Sequence, residues 1–308
     1  MKGLVYKSTG SWYQIQTADG QRFDGRLKGK FKIDDITSTN PIAVGDEVEF
    51  EREESGEEKV IITELYPRKN HVNRVSPANK RLQHIIASNL DQSLLVATLK
   101  DPKTSLGFID RFLVTCEAYH IPAILLFNKA DIYGEKEMRE YERRKEIYEQ
   151  IGYTVLLSSV NTGLGIHELQ NTLQHKTTLI SGHSGVGKSS IINAILVGAN
   201  LRTQEVSEWN GKGVHTTTFA EMYDLPEGGR IIDTPGMREF ALVDMERQEL
   251  SHYFPEMREL IHGCQFNNCL HYNEPGCAIK QAVIDGDIHE DRYVSYCTLL
   301  DSLEEKSW

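Results

Sequence analysis

At 308 residues, with 39% hydrophobic and 26% charged residues, the chain has the composition of a globular protein long enough for two or three domains with their own cores. A net charge of −11 argues against crude polyelectrolyte binding to nucleic acid, but the charge is uneven: residues 1–88 hold 14 Lys and Arg against 13 Asp and Glu, residues 89–241 hold 15 against 19, and residues 242–308 hold 5 against 13. No stretch has the apolar length of a signal peptide or membrane span, and five cysteines without a secretion signal suit a reducing compartment, so a cytoplasmic protein with no membrane partner is expected.

Residues 1–66 read as short strands at Gly3–Ser8, Trp12–Thr17, Gln21–Lys28, Asp46–Glu51 and Val60–Leu65, with turn signals between them; this spacing predicts a small β-barrel of the OB-fold type. Arg26, Lys28, Lys30 and Lys32 alternate, so an extended chain sets these four charges on one face and Leu27 and Phe31 on the other. Beside Trp12, Tyr13 and Phe23 such a face suits RNA, its backbone on the charges and its bases stacked; a merely solvated strand face gives the same pattern. Residues 67–88 are polar and basic with Pro67 and Pro77, and read as a linker whose Arg68, Lys69, Arg74, Lys80 and Arg81 either extend that surface or are solvated.

From Asn89 the texture changes to β/α alternation: strands at Gln92–Leu99, Ile121–Phe127 and Thr154–Ser158, and helices at Gly107–His120, Glu135–Ile151 and Gly165–Leu173. This predicts a parallel sheet with helices on both faces over 89–241. Cys116 falls in a helical apolar pattern and is expected in the core. The strand Thr177–Ile180 leads into Gly182-His183-Ser184-Gly185-Val186-Gly187-Lys188-Ser189-Ser190, with a helical pattern after it. That context identifies a phosphate-binding loop, since glycines bare the backbone N–H groups and the helix aims its positive end at the same point. Lys188 would pair with the β- and γ-phosphates and Ser189 would ligate Mg²⁺. A polar stretch from Asn200 leads to a loop at 214–218, and Phe219–Leu225 with Gly229–Ile232 read as a hairpin ending in Asp233-Thr234-Pro235-Gly236. Beyond Glu239 the chain reads as helical and acidic, and 242–308 as a mostly α-helical domain.

The phosphate loop alone does not choose between ATP and GTP. Asn128-Lys129-Ala130-Asp131 follows a buried strand, and the carboxylate of Asp131 can accept from both N1–H and the 2-amino group of guanine, where adenine offers neither donor. One helix and one strand later comes Ser158-Ser159-Val160-Asn161-Thr162-Gly163, the second base-contacting loop; Asp233 at a strand end supplies a contact to Mg²⁺ through water, and the N–H of Gly236 a γ-phosphate contact. Together they specify GTP. The guanine motif nevertheless precedes the phosphate loop, the reverse of the ordinary GTPase order, so the fold is kept only if the domain is circularly permuted. Cys264, Cys269, His271 and Cys277 place three thiols and an imidazole within a short stretch, the donor set of a closed structural Zn²⁺ site; Cys297 lies outside the spacing.

In sum, these features resemble the bacterial GTPases that depend on the small ribosomal subunit, the RsgA family, over essentially the whole chain: an OB domain, the permuted GTPase order, the switch Gly211-Lys212-Gly213-Val214-His215-Thr216-Thr217-Thr218 and the zinc cluster. The resemblance implies a monomeric protein that binds the subunit and its rRNA late in assembly and hydrolyses GTP to GDP to leave. In Ras-like enzymes a Gln after the Asp-x-x-Gly motif orients the attacking water; Met237 stands there and cannot, so His215 is the candidate, as the resemblance also implies, with a loop or RNA contact as its other reading. Thr217 or Thr218 is expected on Mg²⁺, with no ground for choosing, and Gly185 stands where potassium-using GTPases often carry Asn. The expected division is 1–66, 67–88, 89–241 and 242–308. Two other functions fit the residues: an RNA scaffold gated by nucleotide, and a GTP-driven carrier whose cargo is the metal at 264–277.

Overall fold

A computed structural model describes residues 1–27, 41–53, 59–75, 83–196, 220–234 and 245–303. Of the predicted site residues, Lys28, Lys30, Lys32, His215, Thr217, Thr218 and Gly236 lie outside the described residues, as does Met237.

The first five strands are β1 (Lys2–Ser8), β2 (Tyr13–Gln16), β3 (Arg22–Leu27), β4 (Glu47–Arg52) and β5 (Lys59–Leu65). They run in the order β1-β2-β3-β5-β4, and β4 pairs back onto β1, closing a barrel that among the described residues has five strands, with only β3 and β5 parallel. Period-two alternation decides what fills it: along β3, Phe23 and Gly25 point inward while Arg22, Asp24 and Arg26 face out. Val5, Tyr13, Ile15, Phe23, Ile42, Val48, Phe50, Val60 and Ile62 make the barrel's core. Tyr13 and Phe23 are therefore structural, against the expectation that they stack on bases; Trp12 remains exposed. Arg26 faces out as predicted, with its Nε 2.7 Å from Glu53 Oε1.

Residues 67–88 are more than the linker expected from their polarity. They carry β6 (His71–Val75) and β7 (Gln83–Ser88), an antiparallel pair with Val72 and Ala87 buried. Arg68, one of the suggested RNA contacts, is instead a structural cation: its Nε and Nη2 donate to the two oxygens of the fully buried Asp46 at 2.7 and 2.6 Å, and Nη2 also reaches Pro41 O at 2.8 Å.

The second body is a sheet in the order β10-β9-β8-β11-β13-β12, built from β8 (Gln92–Ala97), β9 (Ala123–Phe127), β10 (Thr154–Leu157), β11 (Thr177–Ser181), β12 (Glu221–Asp224) and β13 (Arg230–Asp233). All neighbours are parallel except β12, which runs antiparallel to β13. Strands buried on both faces read as continuous apolar runs, and here the two faces take alternate residues. Leu95, Ala97, Leu125 and Phe127 pack with Phe112 and Leu113 of α1 (Leu106–Ala118) and Tyr141 and Tyr148 of α2 (Glu135–Ile151). Leu94, Val96, Ile124 and Leu126 pack on the other face with Leu169 and Leu173 of α3 (Ile166–Leu173) and Ile191, Ile192 and Ile195 of α4 (Lys188–Leu196). Cys116 is buried in the first layer, where desolvation pushes its thiol well up. Lys7 of β1 pairs with Glu221 of β12, so barrel and sheet join into one eleven-stranded array.

The third body is mostly helical, as its sequence suggests. Among the described residues it holds a single-turn helix α5 (Pro255–Arg258), α6 (Ala278–Asp285) and α7 (Glu290–Ser302), with short 3₁₀ turns between. Its core of Leu250, Phe254, Met257, Ile279, Tyr296, Leu299 and Leu300 takes in Val114 of α1. Among the described residues, no helix is long and apolar enough to cross a membrane.

Candidate nucleotide and metal sites

The phosphate loop turns between the end of β11 and the start of α4. Gly182 (φ +143°) and Gly187 (φ +95°) hold backbone conformations that side chains rarely adopt, and both are crowded: a Cβ at 182 would lie 2.4 Å from Val96 O, and one at 187 would lie 2.5 Å from Asn128 Nδ2. The second approach links the two motifs. Asn128, 2% exposed, donates from Nδ2 to Val186 O at 3.0 Å and accepts on Oδ1 from Ser158 Oγ at 3.1 Å. The first residue of the guanine motif therefore fastens the phosphate loop and the Ser158 loop together, although 58 positions separate it from Val186.

Lys188 Nζ lies over its own loop, donating to Gly182 O at 2.5 Å and His183 O at 3.0 Å, and burial lowers its pKa although Asp233 favours its charge. Ser184, Gly185, Ser189 and Ser190 are exposed on the loop's outer side, while Val186 is buried. His183 turns inward, with Nε2 2.7 Å from Thr104 Oγ1 and its ring edge-on to Phe108 at 5.4 Å. Thr104 and Phe108, which sequence reasoning missed, thus tie the first turn of α1 and the segment before it to the phosphate loop. Lys129, in a left-handed conformation (φ +67°), reaches the same segment through Asp101 O at 2.5 Å. On Asp131, Oδ1 accepts from Ser159 Oγ at 2.6 Å and Oδ2 from Asn161 Nδ2 at 2.8 Å, and these two bonds hold the carboxyl below its usual range and ionised.

Asp233, at the end of β13, has its pKa raised by burial, with Lys188 opposing; among the described residues its buried Oδ1 has no hydrogen-bond partner, nor do Thr234 Oγ1 and Ser181 Oγ. A carboxylate, a hydroxyl pair and the exposed Ser189 hydroxyl beside a phosphate loop are hard oxygen donors, and buried oxygens left unpaired suit Mg²⁺ with its bound water.

The second site is formed by Cys264, Cys269, His271 and Cys277, whose ligand atoms all lie within 4.8 Å of one another. His271 Nδ1 is 3.4 Å from the sulfurs of both Cys264 and Cys277, which are 4.0 Å apart. Tetrahedral Zn²⁺ with bonds of about 2.0–2.3 Å sets its donors roughly 3.5–3.8 Å apart, so the separations of 3.4, 3.4 and 4.0 Å among Cys264, His271 and Cys277 come within a few tenths of an ångström of a closed structural site. The cysteines are free, and burial raises the pKa of Cys269 to about 12, which makes a metal the natural means of holding the thiolates together. The loop is shaped around them. His271 is left-handed (φ +55°), and Glu274 accepts the backbone N–H groups of Leu270, Tyr272 and Asn273 at 2.9, 2.9 and 3.1 Å. From α7, the hydroxyls of Tyr293 and Tyr296 donate to the carbonyls of His271 and Leu270, each at 2.8 Å.

Comparison with known proteins agrees with this geometry. A family model described as RsgA GTPase matches residues 65–243, and one described as RsgA N-terminal domain matches residues 2–60. The chain is 49% identical over 306 residues to a protein of Christiangramia forsetii named small ribosomal subunit biogenesis GTPase RsgA, covering 99% of this chain and 97% of that one. A protein of the same name from Bacteroides fragilis is 47% identical over 305 residues, covering 99% and 98%. Among solved structures, YjeQ from Thermotoga maritima aligns with a TM-score of 0.79 at 34% identity, over 98% of each chain. YloQ, described as a circularly permuted GTPase, aligns at 0.75 and 28% identity, over 100% of this chain and 96% of that one.

Proposed function

The chain belongs to the RsgA GTPase family and is a GTP hydrolase, and from that premise we propose that it binds the small ribosomal subunit and its rRNA late in assembly and hydrolyses GTP to leave. The observation that carries this reading is the near-complete, high-identity match to proteins named for small-subunit biogenesis, together with a phosphate loop and a guanine motif brought into contact through Asn128 and Val186.

In this reading the loop 182–190 wraps the phosphates with its N–H groups and the start of α4, and Lys188 exchanges the carbonyls of Gly182 and His183 for phosphate oxygens. Ser189, Asp233 and one of Thr217 and Thr218 would hold Mg²⁺, which when bound neutralises charge on the β- and γ-phosphate oxygens. Gly236 contacts the γ-phosphate, Asp131 reads the base, and His215 orients the attacking water in place of the missing Gln. Cys264, Cys269, His271 and Cys277 hold a structural Zn²⁺, and Arg26, Lys28, Lys30 and Lys32 meet RNA backbone. We read the protein as a cytoplasmic monomer divided near residues 66, 88 and 241, with the pair β6–β7 in the connector 67–88.

The test is His215→Ala assayed in two ways. Hydrolysis stimulated by small subunits should fall at least about a hundredfold, the usual reach of a general base or water-positioning group. Cosedimentation with subunits in a non-hydrolysable GTP analogue should persist and should exceed that in GDP. An unchanged rate removes His215 from the mechanism, and sedimentation indifferent to the nucleotide removes the proposed cycle.

A further inference from the structure

Within that guanine pocket, which this inference takes as its premise, Asp131 is held by two donors on two different oxygens. Ser159 Oγ donates to Oδ1 at 2.6 Å and Asn161 Nδ2 to Oδ2 at 2.8 Å. The loop carrying both donors is itself fixed. Thr162 N–H donates to Ser159 Oγ at 3.3 Å, leaving the hydroxyl proton for Asp131, and Ser159 N–H donates to Leu164 O at 3.0 Å. Ala130 N–H reaches Ser158 O at 3.0 Å, so the two base loops are bonded through backbone as well. Gly165 closes the turn: at φ +70°, a Cβ there would lie 2.0 Å from Leu157 O.

A carboxylate oxygen carries two acceptor directions. One donor on each oxygen of Asp131 leaves one direction on each for a ligand. A carboxylate bonded at a single oxygen can swing about its Cβ–Cγ bond, a soft sp³–sp² torsion; bonded at both, it cannot turn without breaking one of the two. Guanine presents N1–H and the 2-amino group as parallel donors, and both are met only when the two oxygens lie in the plane of the base. We propose that Asn161 is a specificity-determining residue: its side-chain amide fixes the plane of the Asp131 carboxylate, so that the second oxygen is in place for the 2-amino group of guanine. Ser159 supplies the first anchor; Asn161 turns one anchor into a clamp.

The experiment compares equilibrium binding of GDP, IDP and ADP to the full chain with Mg²⁺, for wild type, Asn161→Ala and Asn161→Asp. Inosine diphosphate keeps N1–H and lacks the 2-amino group. Asn161→Ala should weaken GDP by between about twofold and tenfold, the worth of one hydrogen bond, and shift IDP by less than about twofold, so the GDP-to-IDP preference falls. Asn161→Asp keeps the shape but sets a like charge against Asp131, and should lower the preference further. Retained IDP binding shows that the variants are folded. Equal losses for both nucleotides, or an unchanged preference, overturn the inference and leave Asn161 a loop residue. Wild type that prefers neither GDP nor IDP over ADP overturns the guanine pocket itself, and no variant is needed to see it.

Discussion

The barrel and the C-terminal body are fastened to the same sheet by different means. The barrel joins by extending a β-ladder, Lys7 opposite Glu221, with a cluster at the seam in which the Tyr6 hydroxyl donates to Asp224 Oδ1 at 2.6 Å and Arg230 Nε reaches the same hydroxyl at 3.1 Å. Burial and the Asp224 bond push Tyr6 up to about 12, so it stays a donor at any ordinary pH. The C-terminal body joins through charges out of water: Arg292 and Asp110, each 1% exposed, meet at 2.5 Å, with Glu256 on the other side of the guanidinium at 2.7 Å and the Arg292 cation 4.6 Å from the Phe254 ring centroid. Arg143 with Asp291 and Arg258 with Glu117 rim this joint. A ladder with a partly wet seam loses little with any one group, whereas a buried charge cluster fails if one member goes, because the others stay buried unpaired. The joints also attach to different parts of the site. The barrel holds β12, whose partner β13 ends in Asp233, and the C-terminal body holds α1, whose leading segment touches the phosphate loop through Thr104 and His183.

This contrast is open to direct attack. The largest effect should come from the metal. Apart from its ligands, the stretch 264–277 has little core of its own, and Phe266 and Tyr272 are exposed, so under the proposed assignment its fold should depend on zinc binding worth on the order of 10–16 kcal/mol. A strong chelator, or Cys277→Ser, should abolish the near-ultraviolet circular dichroism of Tyr293 and Tyr296 while the barrel's amide protons stay protected from exchange; an unaltered spectrum at zero bound zinc contradicts the assignment. Next, Arg292→Met should cost about 3–5 kcal/mol in denaturant unfolding, the penalty for stranding a buried partner, and Asp110→Asn made in that background should recover part of it. Equal costs for Arg292→Met and for an exposed Arg would erase the difference between the joints. Smallest, Tyr6→Phe should cost about 0.5–1.5 kcal/mol, one hydrogen bond at a seam that Lys7 and Glu221 still hold. A loss as large as that of Arg292 would show that the barrel joint is no softer.

Much of this was legible in the sequence where chemistry is contiguous. The loop 182–190, the run 128–131 and the Cys/His spacing each state their purpose within a few residues, and the barrel strands declare themselves by alternation. Parity also explains an error: Phe23 alternates with the exposed Arg22, Asp24 and Arg26, so it had to point inward, and only its aromatic character suggested otherwise. Residues 71–75 were hidden by composition, polar neighbours obscuring the buried Val72 of a paired strand. Contacts between distant positions left no local signal. Asp110 and Arg292 are 182 positions apart, Thr104 and His183 are 79, and nothing in either neighbourhood names the other. Asn161 lay inside a motif already noted, but its donor has a purpose only once the loop closes over Asp131.

The most direct test of the account is the steady-state rate of GTP hydrolysis by the full chain alone, with purified small ribosomal subunits, and with purified large subunits. We expect a low intrinsic rate, since Met237 stands where a water-orienting Gln would be, raised strongly by small subunits and not by large ones. Equal rates in all three conditions would contradict it.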